Sequence, residues 1–148
     1  MRAARQRGPA NVRPRANMSD KLRLDSVWRS IGWALIAFVA WQSLKHDPIE
    51  VPIGEGNFLG HLGAYATLML WFAQIVLPGR ARVACASGFF LMGFGLEAAQ
   101  GLTDYRTFDL FDAGANLCGV LLGWLLAPPR LPNFLRGAER YLPANWRI

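Results

Sequence analysis

The chain has 148 residues, 53% of them hydrophobic, and a formal net charge of +6. That length suits one domain. Two cysteines and two histidines are too few for a disulfide framework or a zinc-type Cys/His cluster. The apolar residues fall in four runs with the charges almost entirely between them, whereas a soluble protein spreads charge over amphipathic helices.

Residues 1–26 form a basic tail. Its first 17 residues hold five Arg and no acid, and no apolar stretch follows that would make them a signal peptide. They read as a disordered segment, or as residues ahead of a true start at Met18. The first apolar run, Val27 to Leu44, is the shortest and carries Trp28, Trp33 and Trp41, and indole rings favour membrane interfaces. The second run, Phe58 to Leu77, includes His61. The third, Val83 to Leu102, is charged only at Glu97, and the fourth, Phe111 to Ala127, only at Asp112. Each is close to the roughly 20 residues that cross about 30 Å of hydrocarbon. Pro78 with Gly79, and Pro128 with Pro129, end the second and fourth runs.

Residues 128–148 form a second basic tail. Leu131, Phe134, Leu135, Ala138 and Leu142 recur there at helical spacing among Arg130, Arg136 and Arg140. This predicts a short helix on the inner membrane surface, limited by Pro132 and Pro143 to about two or three turns. The predicted fold is all-α, an integral membrane bundle of about four transmembrane helices.

Orientation follows from basic charge. With the N-terminus inside, fourteen Lys or Arg lie on the inner side and two, Lys45 and Arg106, on the outer. The positive-inside rule then predicts both ends in the cytoplasm. A nucleic-acid partner would need the basic residues on one soluble face, and here they flank the spans. The expected partner is the lipid bilayer, with no nucleic acid; the spacing leaves the oligomeric state open. Cys118 lies within the fourth run and Cys85 near the opposite end of the third. Their depths differ by roughly 15–20 Å, too far for a disulfide, so both are expected as free, buried thiols.

Ionisable groups within spans usually face a bundle interior or a water-filled cavity. On this topology His61, Glu97, Asp112 and Asn116 all fall in the outer third of the bilayer, with Arg106 and Asp109 in the short outer loop beside them. His61 and Tyr65 share a face, as do Glu97 and Gln100, and Asp112, Asn116, Gly119 and Gly123 form one stripe. Gly119 and Gly123 make a small-xxx-small pair that lets another helix approach closely. Gly60, Gly63, Gly88, Gly93 and Gly95 add small surface to the second and third runs.

Two readings of this cluster stand side by side. In one it is a polar lock, its members satisfying each other's hydrogen bonds between helices. In the other it is a pocket open to the outside. A carboxyl in low dielectric can act as general acid or base, which makes Glu97 a candidate. His61 could shuttle protons, and Asp112 completes the catalytic candidates. Arg106 suits a bidentate contact to an anionic group, with Asp109, Asn116, Gln100 and Tyr65 as further binding candidates. Asp109, Asp112 and Glu97 carry oxygen ligands of the kind divalent ions take, but their relative geometry is not readable from spacing. The expected metal and cofactor complement is therefore none. No nucleophile, phosphate-binding glycine loop or Ser-His-Asp set is evident, and four spans without a repeat give little room for alternating access.

Taken together, His61 and Tyr65 as H-x-x-x-Y and the string E-x-x-Q-x5-R-x2-D-x2-D-x3-N-x2-G from Glu97 to Gly119 resemble the VanZ-like family of small bacterial membrane proteins. The resemblance spans roughly residues 53 to 125. The family often has Asp-Lys three to four residues before the histidine; Asn57 and Phe58 stand there in this chain. The resemblance implies a multi-pass protein of the bacterial cytoplasmic membrane. It also implies a link to the cell envelope, since the family is named for a protein tied to low-level resistance to teicoplanin, a glycopeptide that binds wall precursors. It supplies no reaction. The expected functions are binding or modifying an envelope lipid or wall precursor or, alternatively, a non-catalytic structural or partner-binding role.

Overall fold

The computed structural model describes residues 22–47, 57–104 and 107–143. Those residues form five helices and no strand: α1 (Asp25–Leu44), α2 (Phe58–Ile75), α3 (Arg80–Gln100), α4 (Leu110–Leu126) and the short α5 (Phe134–Glu139). The first four match the four apolar runs, and α5 lies where helical spacing predicts a short helix in the C-terminal tail. The helix α3 starts three residues earlier than its apolar run, because Gly79, at φ 111°, turns the chain at its N-cap and Arg80 and Arg82 are good helix formers. Two helices, α2 and α3, are long and apolar enough to cross a membrane; α4 is a shorter apolar helix.

The central element is α2. Tyr65, Leu68, Met69, Phe72 and Ala73 line its buried face, at the i, i+3, i+4, i+7, i+8 spacing of one helical stripe. Against it α4 presents Ala115, Asn116, Gly119, Val120 and Gly123, and these two share the most extensive contact among the described helices. The glycines make this possible: a Cβ on Gly119 would lie 2.5 Å from the Leu62 carbonyl oxygen, and one on Gly123 2.5 Å from that of Ala66. The α3 helix adds a stripe of Arg82, Phe89, Gly93, Glu97 and Gln100. Gly93 faces the Tyr65 ring and the Asn116 amide, whereas Gly63, Gly88 and Gly95 face open space. Of the glycines in the second and third runs, then, only some serve close packing.

The opposite faces are apolar and exposed. Leu91, Phe94, Leu121 and Leu125 project outward from α3 and α4, and Trp33, Phe38 and Trp41 from α1. Both cysteines are free, but Cys118 is exposed and Cys85 half-buried. The expected burial of Cys118 is corrected by rotation: two residues beyond Asn116, it points away from the face that packs on α2.

One polar contact joins the start of α1 to α5. The N-cap of α1, Leu24, offers no side-chain acceptor for the free backbone N–H groups there. The Glu139 carboxylate supplies one from α5. It accepts from the backbone N–H of Leu24 at 2.8 Å and of Arg23 at 2.9 Å, and from the Trp28 indole at 2.9 Å. Burial raises the pKa of this carboxyl, but the three hydrogen bonds and the nearby Arg23 outweigh it and hold the group below its ordinary value. With the folded-state pKa lowered, the contribution is present above the ordinary glutamate value of 4.5 and is lost as pH falls through the folded-state value. Glu139→Gln is expected to cost about 1.5–3 kcal/mol at neutral pH, the range for hydrogen bonds to a charged group. Thermal melts of the detergent-solubilised protein at pH 7 and over a descending acid series check this: the gap between wild type and variant should narrow as the pH falls. A gap that stays constant would mean that the charge contributes nothing.

Candidate functional site

Three helices converge at the end of the bundle where α2 and α4 begin and α3 ends. His61 sits in the first turn of α2, Asp112 in the first turn of α4, and Glu97 in the last turn of α3. Asn116 and Tyr65 lie one turn deeper than Asp112 and His61 on their own helices. The His61 ring is the hub. Its Nδ1 is 3.0 Å from Asn116 Oδ1 and 3.7 Å from Glu97 Oε1, and its Nε2 is 3.3 Å from Asp112 Oδ2. Glu97, Asn116 and Tyr65 are each about 1% exposed. Access is through Asp112, whose side chain keeps 15% of its surface.

The Asn116 contact assigns the roles of the two ring nitrogens. Asn116 Oδ1 is an acceptor, so Nδ1 carries a proton and donates to it. In a neutral ring Nε2 then presents a lone pair to the Asp112 carboxylate. A proton shared between Nε2 and the carboxylate, or a cation beside Nε2, satisfies both atoms. Beneath the ring the Tyr65 hydroxyl is buried and has no hydrogen-bond partner among the described residues. Its ring end and the Asn116 amide close on the same point, where a Cβ on Gly93 would stand 3.0 and 2.9 Å from them. Glycine at position 93 is what lets α3 approach this cluster.

The structure thus brings together His61, Glu97, Asp112, Asn116 and Tyr65, and places Asp109 and Gln100 apart from them. Asp109 is exposed and caps α4, accepting the Phe111 backbone N–H at 2.7 Å. Gln100 is buried and donates to the Ser43 carbonyl at 2.6 Å, which ties α3 to the end of α1 instead of reaching the cluster. Arg106 lies outside the described residues.

The sequence reading missed a second polar group, at the opposite end of the bundle. Arg82 is 5% exposed. It donates to the carbonyls of Pro128 at 2.6 Å and Ala73 at 3.0 Å, joining the ends of α4 and α2. Gln74 takes the backbone N–H of Phe134 on its side-chain oxygen and the Asn133 amide on its carbonyl. Buried polar groups therefore occupy both ends, and the His61 end gathers a histidine and two carboxylates from three helices. A signal for Arg82 existed: it stands seven residues before Phe89 and eleven before Gly93, on the buried stripe of α3. Glu139 was marked only by being the last acidic residue, alone in a basic tail.

In comparisons with known proteins, no family model, curated protein or solved structure matched the chain.

Proposed function

We propose that this chain is a VanZ-like protein that spans the bacterial cytoplasmic membrane four times with both ends inside. We further propose that its outward-facing cluster binds, and modifies, the polar head group of an envelope lipid or lipid-linked wall precursor. A role in glycopeptide resistance is the corresponding phenotype where such a drug reaches the membrane. Two features support the membrane part. Basic residues crowd one side of the apolar runs. The apolar stretch of α3 is only 22% buried, and Phe90, Leu91 and Phe94 face outward instead of filling a core. The observation that carries the functional part is the convergence of His61, Glu97 and Asp112 within a few ångströms on three helices. Ionisable groups are expensive in a membrane and persist where they do chemistry or recognition.

The experiment compares envelope lipids and wall precursors by mass spectrometry in cells lacking the gene, carrying it, and carrying Glu97→Gln or Asp112→Asn at matched protein level. A species that changes with the gene and reverts with both variants is the expected result, with a loss of activity of about 100-fold or more for an acid–base group. A lipid profile indifferent to the gene would overturn the proposal.

The burial of Glu97 and Asn116 favours a second reading, in which the cluster locks α2, α3 and α4 together. A lock tolerates Glu97→Gln better than Glu97→Ala and shows its losses in protein level, with no change in lipids.

A further inference from the structure

We propose that His61, Glu97 and Asp112 form a binding site for a divalent metal ion of the class that nitrogen and oxygen donors select, zinc first and manganese next. Each of the three offers one ligand atom, and those atoms lie within 4.8 Å of one another. Around a tetrahedral zinc with bonds of about 2.0–2.1 Å, ligand atoms stand about 3.3 Å apart. His61 Nε2 and Asp112 Oδ2 are already 3.3 Å apart. Glu97, the longest and most adjustable of the three side chains, stands nearer the other ring nitrogen, 3.7 Å from Nδ1, and closes the set by swinging its carboxylate toward Nε2. One imidazole and two carboxylates, with no thiolate, suit zinc and manganese over copper(I) or iron–sulfur chemistry.

Two further observations point to an ion. The first is the amide on His61: metal-bound histidines almost always donate their other ring N–H to an oxygen, and Asn116 Oδ1 is in that position at 3.0 Å from Nδ1. This leaves Nε2 as the ligand nitrogen, with Asp112 Oδ2 beside it at 3.3 Å as a second ligand. The second is Tyr65. Its hydroxyl is buried without a hydrogen-bond partner among the described residues, one turn below His61 on the same face and against Asn116. A phenol oxygen there can hold a metal-bound water or complete the coordination.

The ion deepens the proposed function and rests on it for its role: an ion with an open position takes an anionic oxygen, such as a head-group phosphate. Its presence is measured independently of any substrate. The full chain is purified in detergent micelles, stripped with chelator, and loaded with Zn2+ or, separately, Mn2+; retained metal is counted by mass spectrometry after gel filtration. Wild type is expected to keep about one zinc per chain and to melt higher loaded than stripped. Glu97→Gln and Asp112→Asn should lose retention, and Asn116→Ser should weaken it by about 10–100-fold. Cobalt loading of the wild type alone gives visible ligand-field bands if the site binds, which needs no variant to fold. Wild type without metal or cobalt bands, or variants that retain zinc as wild type does, would overturn the inference. Metal binding with no lipid difference between cells would keep the site and remove the lipid function. A lipid difference without metal would do the reverse.

Discussion

Alanine at Gly119 or Gly123 is expected to separate α4 from α2 and to be among the most damaging single methyl groups that can be added to this chain. At Gly119 the new carbon would stand 2.5 Å from the Leu62 carbonyl oxygen and 3.0 Å from the Ala66 nitrogen. At Gly123 it would meet the Ala66 carbonyl oxygen at 2.5 Å and the Leu70 nitrogen at 3.0 Å. These are main-chain atoms of a hydrogen-bonded helix and cannot rotate away, so the helices themselves must move apart. Overpacking of this kind costs about 1–3 kcal/mol per site. The separation also draws Asn116 away from His61, since Asn116 lies one turn from Gly119 on the same stripe. Alanine at Gly63, Gly88 or Gly95, where nothing lies within 4 Å, should leave stability unchanged or raise it slightly. Melting temperatures of the five variants in one detergent test this. Equal tolerance at all five would mean that α2 and α4 do not approach as closely as described.

Arg82→Met is expected to cost about 2–4 kcal/mol, as a charged group's hydrogen bonds are removed and their buried acceptors are left unpaired. The last carbonyls of any α-helix lack an intrahelical partner, and a cation at that end also complements the helix dipole. Arg82 does both for α2 through the Ala73 and Val76 carbonyls, and it reaches the Pro128 carbonyl after α4 with its other nitrogen. The planar fork matters: Arg82→Lys places all its donors on one atom, which cannot span the carbonyls of two helices, so it should recover only part of the loss. Arg80, two residues earlier and exposed, is the control, and Arg80→Ala should leave the melting temperature within about 0.5 kcal/mol equivalent of wild type. The losses would be read from thermal melts and from protease access to residues 128–143. An Arg82→Met protein as stable as Arg80→Ala would show that this end is held by Gln74 and Glu139 alone.

Particular residues show how much was legible in advance. The four long helices follow the apolar runs to within about three residues at each end, since run length and Pro/Gly stops act locally. The shared faces of His61 with Tyr65, and of Asp112 with Asn116, Gly119 and Gly123, are likewise properties of a single helix. Gln100 shows the limit of that logic. It shares a face with Glu97 by spacing, yet its amide reaches Ser43 on α1, because one helix face can meet two neighbours. Asp109 is an N-cap in the structure, a local role that a loop aspartate before an apolar run also announces.

What the sequence determines by itself is the set of helices, their apolar character and the polar residues each one carries, because periodicity and chain stops act within one helix. Only the tertiary structure decides which helix faces which and at what depth. The close approach of α2 and α4 through Gly119 and Gly123 sets the rotation that brings Asn116 to His61, turns Cys118 outward, and leaves Asp112 at the rim. The cap that Glu139 places on α1 joins residues 115 positions apart in the chain. Contacts of that range depend on how several helices pack at once, and no spacing along one helix encodes them.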